Sequence, residues 1–218
     1  MNERRVMTDV RRALGRGRAR AGAAPVPPSI DEHVVRLVHS EIGLSELFTR
    51  MARQNQMIVE AVRVEELATR VLESLRGQGC RRVALSSGGP IERLGVRDAL
   101  RAGGIAAQTW DEISLDALYD FDAGVTDVRF AVAETGSLVI DGSHRHGRAL
   151  SLVPPVHVAI VEPKQILPDL VDLFDQLARD ATRGNTVIIT GPSKTADIEM
   201  NLVTGVHGPG VVHVLMLQ

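Results

Sequence analysis

Hydrophobic positions change their spacing along the chain, and the changes predict alternating helices and strands. Apolar residues recur at helical spacing over 64–76, and the glycines that follow predict the end of an amphipathic helix. The run "CRRVALSS", residues 80–87, is typical of a buried strand, and the corner "SSGGP" follows it at the end where α/β sheets bind ligands. This alternation indicates an α/β fold with helical connections. The other elements predicted here are two helices over 31–55 that break at Gly43, a strand over 57–62, a helix over 91–101 and a strand over 105–110.

The second half of the chain is richer in strand patterns. "VRFAVAETGSLVIDG", residues 128–142, contains two apolar runs that meet at 134–137, and "ALSLVPPVHVAIVE", residues 149–162, adds a further β pattern. We therefore expect an antiparallel or mixed section beside the α/β half. The remaining elements predicted are a helix over 166–180 with Pro168 in its first turn and a stripe at Leu170, Phe174 and Leu177, a strand over 186–190 and a closing strand over 211–217.

Length and composition indicate one globular domain. A chain of 218 residues with 44% hydrophobic residues can bury one sizeable core. No apolar stretch approaches the roughly 20 residues of a membrane-spanning helix, and the N-terminus lacks the apolar segment of a secretory signal. We therefore expect a cytoplasmic protein. The single cysteine, Cys80, cannot by itself form a disulfide framework or hold an iron–sulfur cluster, and is best interpreted as a small buried residue.

Charge is distributed unevenly along the chain. The formal net charge is -2, but residues 1–29 carry seven arginines against Glu3 and Asp9, so this tail is basic and the remainder acidic. Such a tail can bind nucleic acid, but no aromatic residue accompanies the arginines, which favours a mobile tail or a docking helix and no nucleic-acid role. The proline-rich run "GAAPVPPS", residues 22–29, is typical of a linker. The predicted division is a tail over 1–29 and one α/β domain over 30–218.

The stretch "ITGPSKTADIEMNLVTGVHGPG", residues 189–210, contains a candidate anion site. A helix that began near Ser193 would present unpaired amide groups and the positive end of its dipole, and Lys194 would add a charge. The Walker pattern is not met, so an ATPase of that type is not expected. A simple helix cap is the alternative, and from residue types alone it is favoured. The candidate anion-binding residues of this stretch are Gly191, Pro192, Ser193, Lys194, Thr195 and Asp197.

The stretch "AETGS", residues 133–137, contains a candidate catalytic carboxylate. Glu134 follows an apolar strand and can act as a base or as a nucleophile that forms an acyl or phosphoryl intermediate. The alternative is a hairpin turn with Gly136 at positive φ and a solvated glutamate. Nothing in the local sequence decides between them. Thr135, Gly136 and Ser137 are further candidates for contacts with the same ligand.

Histidines in "DGSHRHG" and "GVHGPG" are candidates for binding. His144 and His146 can share a metal, but a third ligand would have to come from His157 or His207. Because metal sites normally need three or four protein ligands, we expect no metal site. Arg148 suits a carboxylate or phosphate better.

His207, followed by Gly208, can orient a substrate, or it can have only a structural role in a tight loop.

Several segments, taken together, resemble one known family. "AVAETGSLVIDG", "GRALSLVPPVHVAIVE", "ILPDL", "TGPSKTADIE" and "GVHGP", in this order and spacing, resemble the LUD domain family. The arginine-bearing tail and its proline-rich linker also resemble the lactate utilisation protein C group of that family. The resemblance covers nearly the whole chain and is strongest over 121–210.

This resemblance implies a fold, a role and partners. It implies a mixed sheet flanked by helices, similar to the NagB/RpiA/CoA transferase-like superfamily, and a role in the oxidation of L-lactate to pyruvate. It also implies partner proteins that carry iron–sulfur clusters, with no cofactor in this chain. A small carboxylate or phosphate-bearing ligand is expected. Whether the protein forms a homo-oligomer is left open. The weaker likeness of Glu134-Thr135-Gly136 to the Glu-x-Gly turn of CoA transferases implies, as the alternative, a stand-alone CoA-transferase-like or ATP-dependent cyclo-ligase-like enzyme.

Overall fold

The computed structural model describes residues 3–15, 36, 43–142, 147–179, 185–196 and 202–218. Contacts divide the chain into two units, Met1–Val35 and Arg36–Gln218. Helix α1 (Glu3–Ala13) belongs to the first unit. The expected boundary after residue 29 stays a prediction.

The second unit contains every described strand. They are β1 (Ile58–Val62), β2 (Arg82–Leu85), β3 (Ala106–Thr109), β4 (Ala123–Asp127), β5 (Phe130–Val132), β6 (Ser137–Asp141), β7 (Val156–Val161), β8 (Ile166–Leu167), β9 (Thr186–Ile189), β10 (Lys194–Ala196), β11 (Leu202–Thr204) and β12 (Val211–Leu217). Its described α-helices are α2 (Leu44–Gln54), α3 (Leu67–Gly77), α4 (Gly89–Arg93), α5 (Val96–Ala102) and α6 (Leu170–Ala178). None of the described helices is long and apolar enough to cross a membrane.

The main sheet has six strands in the order β1-β12-β7-β4-β2-β3, and its neighbouring strands pair in parallel. Its central strand, β7, is buried at every position, because helices or a second sheet cover both faces. Val158 and Ile160 belong to the core on one face, with helices α3 and α5. Ala159 and Val161 belong to the core on the other face, with α2 and the second sheet. The predicted α/β class is confirmed, whereas the superfamily stays a prediction.

The second sheet has the strand order β8-β5-β6-β9. Strand β6 pairs antiparallel with β5 and with β9, while β5 and β8 are parallel. This sheet is the mixed section that the pattern of residues 128–142 predicted. Its residues Ala131, Leu138 and Ile140 pack into the core beside α2, so the second sheet covers one face of the main sheet.

Helices α2 to α5 agree with the sequence patterns to different degrees. The helix α3 buries Leu67, Val71 and Leu75, four residues apart, as its amphipathic pattern predicted. The single helix predicted over 91–101 is wrong: Gly95, with a left-handed φ of 64°, separates α4 from α5. Helix α2 begins directly after Gly43, whose φ is 74°, whereas the helix predicted before Gly43 lies outside the described residues.

Helix α6 begins later than predicted and faces the core differently. Its N-cap is Asp169, whose side chain accepts a hydrogen bond from the backbone nitrogen of Asp172 at 2.9 Å, so Pro168 precedes the helix. Leu173 is fully buried, whereas Phe174 is 57% exposed. Leu170 and Leu177 of the predicted stripe do pack against this core, so the prediction is wrong at Phe174 only, because packing against β5 and β6 buries its neighbour Leu173.

Candidate functional site

The segment after Gly191 is a strand and not a helix. Lys194–Ala196 forms β10, which pairs antiparallel with β11. The backbone nitrogen of Ser193 donates to the carbonyl oxygen of Pro209 at 2.9 Å, and its carbonyl oxygen accepts from the nitrogen of Gly205 at 2.9 Å. These bonds keep the backbone extended, so no helix starts here. The prediction of a helix start is wrong, and both the dipole argument for an anion and the helix-cap alternative lose their basis.

Three hydroxyl groups meet where the β5–β6 turn approaches the end of β9. The Oγ of Ser137 lies 2.7 Å from Oγ1 of Thr135 and 2.7 Å from Oγ1 of Thr190. We call Thr135, Ser137 and Thr190 the hydroxyl trio. Ser137 is 1% exposed, Thr135 is half-buried and Thr190 is exposed. Two hydrogen bonds use two of the three hydroxyl hydrogens, which leaves one for an acceptor outside the trio.

The end of helix α2 holds this turn and the 190–193 segment together. The amide nitrogen Nδ2 of Asn55 donates to the carbonyl oxygen of Thr135 at 2.8 Å. Gly136 has a φ of 64°, and a Cβ added there would lie 2.3 Å from the backbone nitrogen of Ala52. Gly191 has a φ of 102°, and its Cβ would lie 2.5 Å from the carbonyl oxygen of Asn55. Only glycine fits at both positions, so "AETGS" and "TGPS" are held close together.

"GVHGP" reaches the same region through Ser193. A Cβ added to Gly208 would lie 3.2 Å from Cβ of Ser193, so the two residues are neighbours. Pro192, which directly precedes Ser193, is buried, whereas Lys194 and His207 are exposed. The backbone of Thr195 continues β10. Asp197 lies outside the described residues.

Arg148 lies away from the hydroxyl trio. It is exposed and begins a 3₁₀ helix, Arg148–Ser151. Its Cδ lies 3.8 Å from the position of a Cβ on Gly142, which follows the last residue of β6, whereas Ser137 is the first. At about 3.3 Å per residue, the two ends of this strand are more than about 10 Å apart. The structure does not bring Arg148 to the other candidate residues.

Glu134 lies in the turn, next to the hydroxyl trio. It is half-buried, and its backbone nitrogen donates to the carbonyl oxygen of Pro168 at 3.0 Å, which fixes the backbone of the turn. Within the described part of the chain, its carboxylate makes no hydrogen bond and no ion pair. The catalytic role of this carboxylate stays a prediction.

The histidines do not form a described metal site. His144 and His146 lie outside the described residues, and His157 is fully buried with Nε2 2.9 Å from Oγ1 of Thr126. Burial lowers the pKa of His157 to about 4. Among the residues with described positions, no group of three or more His, Cys, Asp or Glu side chains is arranged to hold a metal ion.

A cavity of about 220 Å³ lies at the carboxyl ends of β2 and β3. The corner "SSGGP" is at this place, as its position after a strand suggested. The cavity is completed by residues from distant segments, which local patterns did not single out. Its lining is Ser86, Ser87, Gly88, Ile91, Glu92, Arg97, Thr109 and Asp111.

Comparison with known proteins shows the family of this chain. The family model of the LUD domain matches residues 45–217. The chain belongs to the LUD domain family.

Relatives in this family have similar lengths. "Lactate utilization protein C" of Halalkalibacterium halodurans is 28% identical in an alignment that covers 93% of this chain and 92% of that protein. "Lactate utilization protein C" of Bacillus subtilis is 29% identical in an alignment that covers 95% of this chain and 92% of that protein. The crystal structure of a DUF162 family protein from Deinococcus radiodurans superposes with a TM-score of 0.60 at 22% identity, covering 83% of this chain and 99% of that one. That likeness supports the fold of this LUD-domain chain.

Proposed function

We propose that this LUD-domain protein is a component of a cytoplasmic system that oxidises L-lactate to pyruvate. Family membership and the names of relatives that match more than nine-tenths of the chain support this role. The sequence has one cysteine, Cys80, which is buried, and burial raises the pKa of its thiol to about 11. One such thiol cannot supply the thiolates of an iron–sulfur cluster. Electron transfer is therefore assigned to iron–sulfur partner proteins.

The ligand proposed for this chain is a small carboxylate or an equivalent anion, bound beside the hydroxyl trio. The observation that carries the proposal is the trio itself, since it can direct one further O–H donor to a ligand. Lys194 is exposed four residues after Thr190 and supplies the positive charge. His207 and Gly208, which lie beyond Ser193, are further contacts in this proposal.

Deletion of the gene tests the role in the cell. The mutant is expected to lose growth on L-lactate and to recover it when the intact gene is restored. Normal growth of a deletion strain that has no second lactate-oxidising route would contradict the role. Affinity purification at native expression level is expected to recover iron–sulfur proteins, and their absence would contradict the proposed partners.

Titration calorimetry with L-lactate and pyruvate tests the ligand. Lys194→Ala is expected to weaken binding about tenfold, because a charge-assisted contact contributes roughly 1.5 kcal/mol. The matched control is Lys164→Ala, which removes the only other lysine; its Nζ lies 3.0 Å from Oε2 of Glu162. If both variants bind as tightly as the wild type, the site is not beside Lys194.

The alternative function is enzymatic and uses Glu134. The observation in its favour is a half-buried carboxylate, unpaired within the described residues, on a turn with a fixed backbone. In this alternative the carboxylate attacks an acyl-CoA, forms an acyl anhydride and releases the CoA thiolate. Mass spectrometry after incubation with a panel of acyl-CoA donors is expected to find an adduct on Glu134 that Glu134→Gln lacks. Absence of both adduct and turnover rejects CoA transfer, and absence of ATP consumption with folate-type substrates rejects the cyclo-ligase form.

A further inference from the structure

The cavity at the carboxyl ends of β2 and β3 occupies the part of the fold where α/β sheets bind ligands. In the strand order β3-β2-β4-β7-β12, the connection from β2 leads to one side and the connections after β4 lead to the other. Such a reversal opens a crevice outside the carboxyl ends of β2 and β4. The cavity lies on the β3 side of β2, at the same edge of the sheet. This cavity, of about 220 Å³, is separate from the hydroxyl trio, because none of its lining residues belongs to the trio.

A glycine turn after β2 forms one wall of the cavity. Gly88 and Gly89 have φ values of 89° and 60°, which favour glycine. A Cβ on Gly89 would lie 2.5 Å from Oδ2 of Asp127, at the end of β4. Oγ of Ser86 donates to Oδ1 of Asp127 at 2.7 Å, which anchors the turn. The turn is thus held against β4, with Ser87 on the cavity wall.

The charged side chains that line the cavity are two carboxyl groups and one guanidinium group, beside several hydroxyl groups. Asp111 follows the end of β3, and its Oδ1 accepts a hydrogen bond from Oγ of Ser87 at 2.6 Å. Hydrogen bonds from Ser87 and Thr109 lower the pKa of Asp111, so it is ionised at neutral pH. Glu92 supplies a second carboxyl group to the lining. Phosphate and carboxylate ligands are disfavoured by this negative charge.

The arginine of the lining does not reverse this charge. Nη2 of Arg97 lies 2.7 Å from each carboxylate oxygen of Glu112, so its charge is already balanced. Its Nε is buried and makes no hydrogen bond with the described residues, so this N–H group remains a donor. The cavity therefore offers carboxylate acceptors together with the hydroxyl groups of Ser87 and Thr109. This combination suits a neutral ligand that carries adjacent hydroxyl groups, each able to donate and to accept.

We propose that this cavity binds the vicinal diol of a ribosyl group, with Asp111 as the acceptor for the two hydroxyl groups. A glycine turn after one strand and an acidic residue after the neighbouring strand, 23 residues later, resemble the arrangement by which dinucleotide-binding folds hold a ribose. The turn "GGP" does not match the G-x-G-x-x-G pattern of those folds, so the likeness concerns the acidic residue and not the phosphate-binding loop. The volume is below the roughly 300 Å³ of drug-sized sites and suits one ribosyl unit rather than a dinucleotide.

Titration of the full-length protein with adenosine, 2′-deoxyadenosine and D-ribose tests the proposal. Adenosine is expected to bind at least about tenfold more tightly than 2′-deoxyadenosine, because loss of one hydroxyl removes a hydrogen bond to a charged group. Binding of D-ribose with the same affinity would identify a free pentose as the source of the diol, whereas weaker binding would identify a nucleoside. Equal binding of the two nucleosides, or no binding of any diol, overturns the proposal.

Matched variants locate the site. Asp111→Asn is expected to weaken adenosine binding about tenfold, whereas Asp116→Asn, at an exposed position in the 3₁₀ helix Asp116–Asp120, is expected to leave it unchanged. Equal effects of the two substitutions would overturn the assignment to Asp111. Lys194→Ala is expected to leave diol binding intact. Failure of the lactate proposal can thus be distinguished from failure of this one.

Discussion

Acid is expected to destabilise the folded protein through the buried side chain of His157. His157 lies in β7 with 0% exposure, and its Nε2 is 2.9 Å from Oγ1 of Thr126. Its Nδ1 is buried and has no hydrogen-bond partner among the described residues. A protonated imidazole has two N–H donors, and this site offers an acceptor for only one of them. The charged form is therefore disfavoured in the fold.

The size and the pH range of the effect follow from the pKa. Burial lowers the pKa of His157 from 6.5 to about 4. Between these values the unfolded chain binds the proton and the folded protein does not, so stability falls as the pH falls below about 6.5 and levels off below about 4. At about 1.4 kcal/mol per pH unit, the complete loss in unfolding free energy is about 3 kcal/mol.

Urea unfolding at pH 7.5 and pH 4.5 measures this loss. Between these two pH values the wild type is expected to lose about 2.5 kcal/mol more unfolding free energy than His157→Gln, which cannot titrate. Other acid-sensitive groups cancel in the comparison, including His213, whose pKa burial also lowers. Parallel losses in the two proteins would refute the argument from burial.

Three further substitutions or reactions test the packing. Gly136→Ala is expected to cost at least about 3 kcal/mol of unfolding free energy, because the added Cβ would clash with the backbone of α2. The control is Gly79→Ala, at a φ of 72° with no atom within 4 Å of the added Cβ, which is expected to cost only about 1 kcal/mol. Equal losses in the two variants would contradict the clash. Leu173→Ala is expected to lower the unfolding free energy by about 2–5 kcal/mol, and the exposed Phe174→Ala by less than about 1 kcal/mol. The reverse order would show that Phe174 is buried, as the sequence pattern predicted. Cys80, with a pKa of about 11 and 6% exposure, is expected to resist iodoacetamide at pH 8 until urea unfolds the protein; rapid labelling of the folded protein would show that the thiol is accessible.

Local patterns predicted the elements that a single segment specifies. The helix α3 and the strands β1, β2, β3 and β12 were predicted because the period of their buried positions is visible within each segment. The ends of helices were harder to predict from the sequence. Gly95 ends one helix and starts another, whereas a glycine within a helical pattern is often tolerated. Phe174 and Leu173 are adjacent and both apolar, so only contacts with the second sheet show which one is buried.

The candidate site was predictable in part. Resemblance to the LUD domain pointed to "AETGS", "GPSK" and "GVHGP", and the structure brings the first two together at Asn55 and the last two together at Ser193. Asn55 itself was not found, because an amide at the end of a helix has no distinctive pattern. Arg148 was selected from its charge and its place in a motif, but the direction of β6 carries it to the other end of the strand.

The α/β class and the family could be read from the amino-acid sequence, because alternating periods and long ordered motifs are properties of the chain in its linear order. The order of the strands, the pairing of β10 with β11 and the cavity beside Asp111 became visible in the folded protein. Each of these depends on hydrogen bonds and contacts between residues far apart in sequence. Residues 194–196 form a strand because they pair with β11, and the hydrogen bonds of Pro209 and Gly205 with the backbone of Ser193 hold its start. The sequence of residues 193–196 alone does not show these partners.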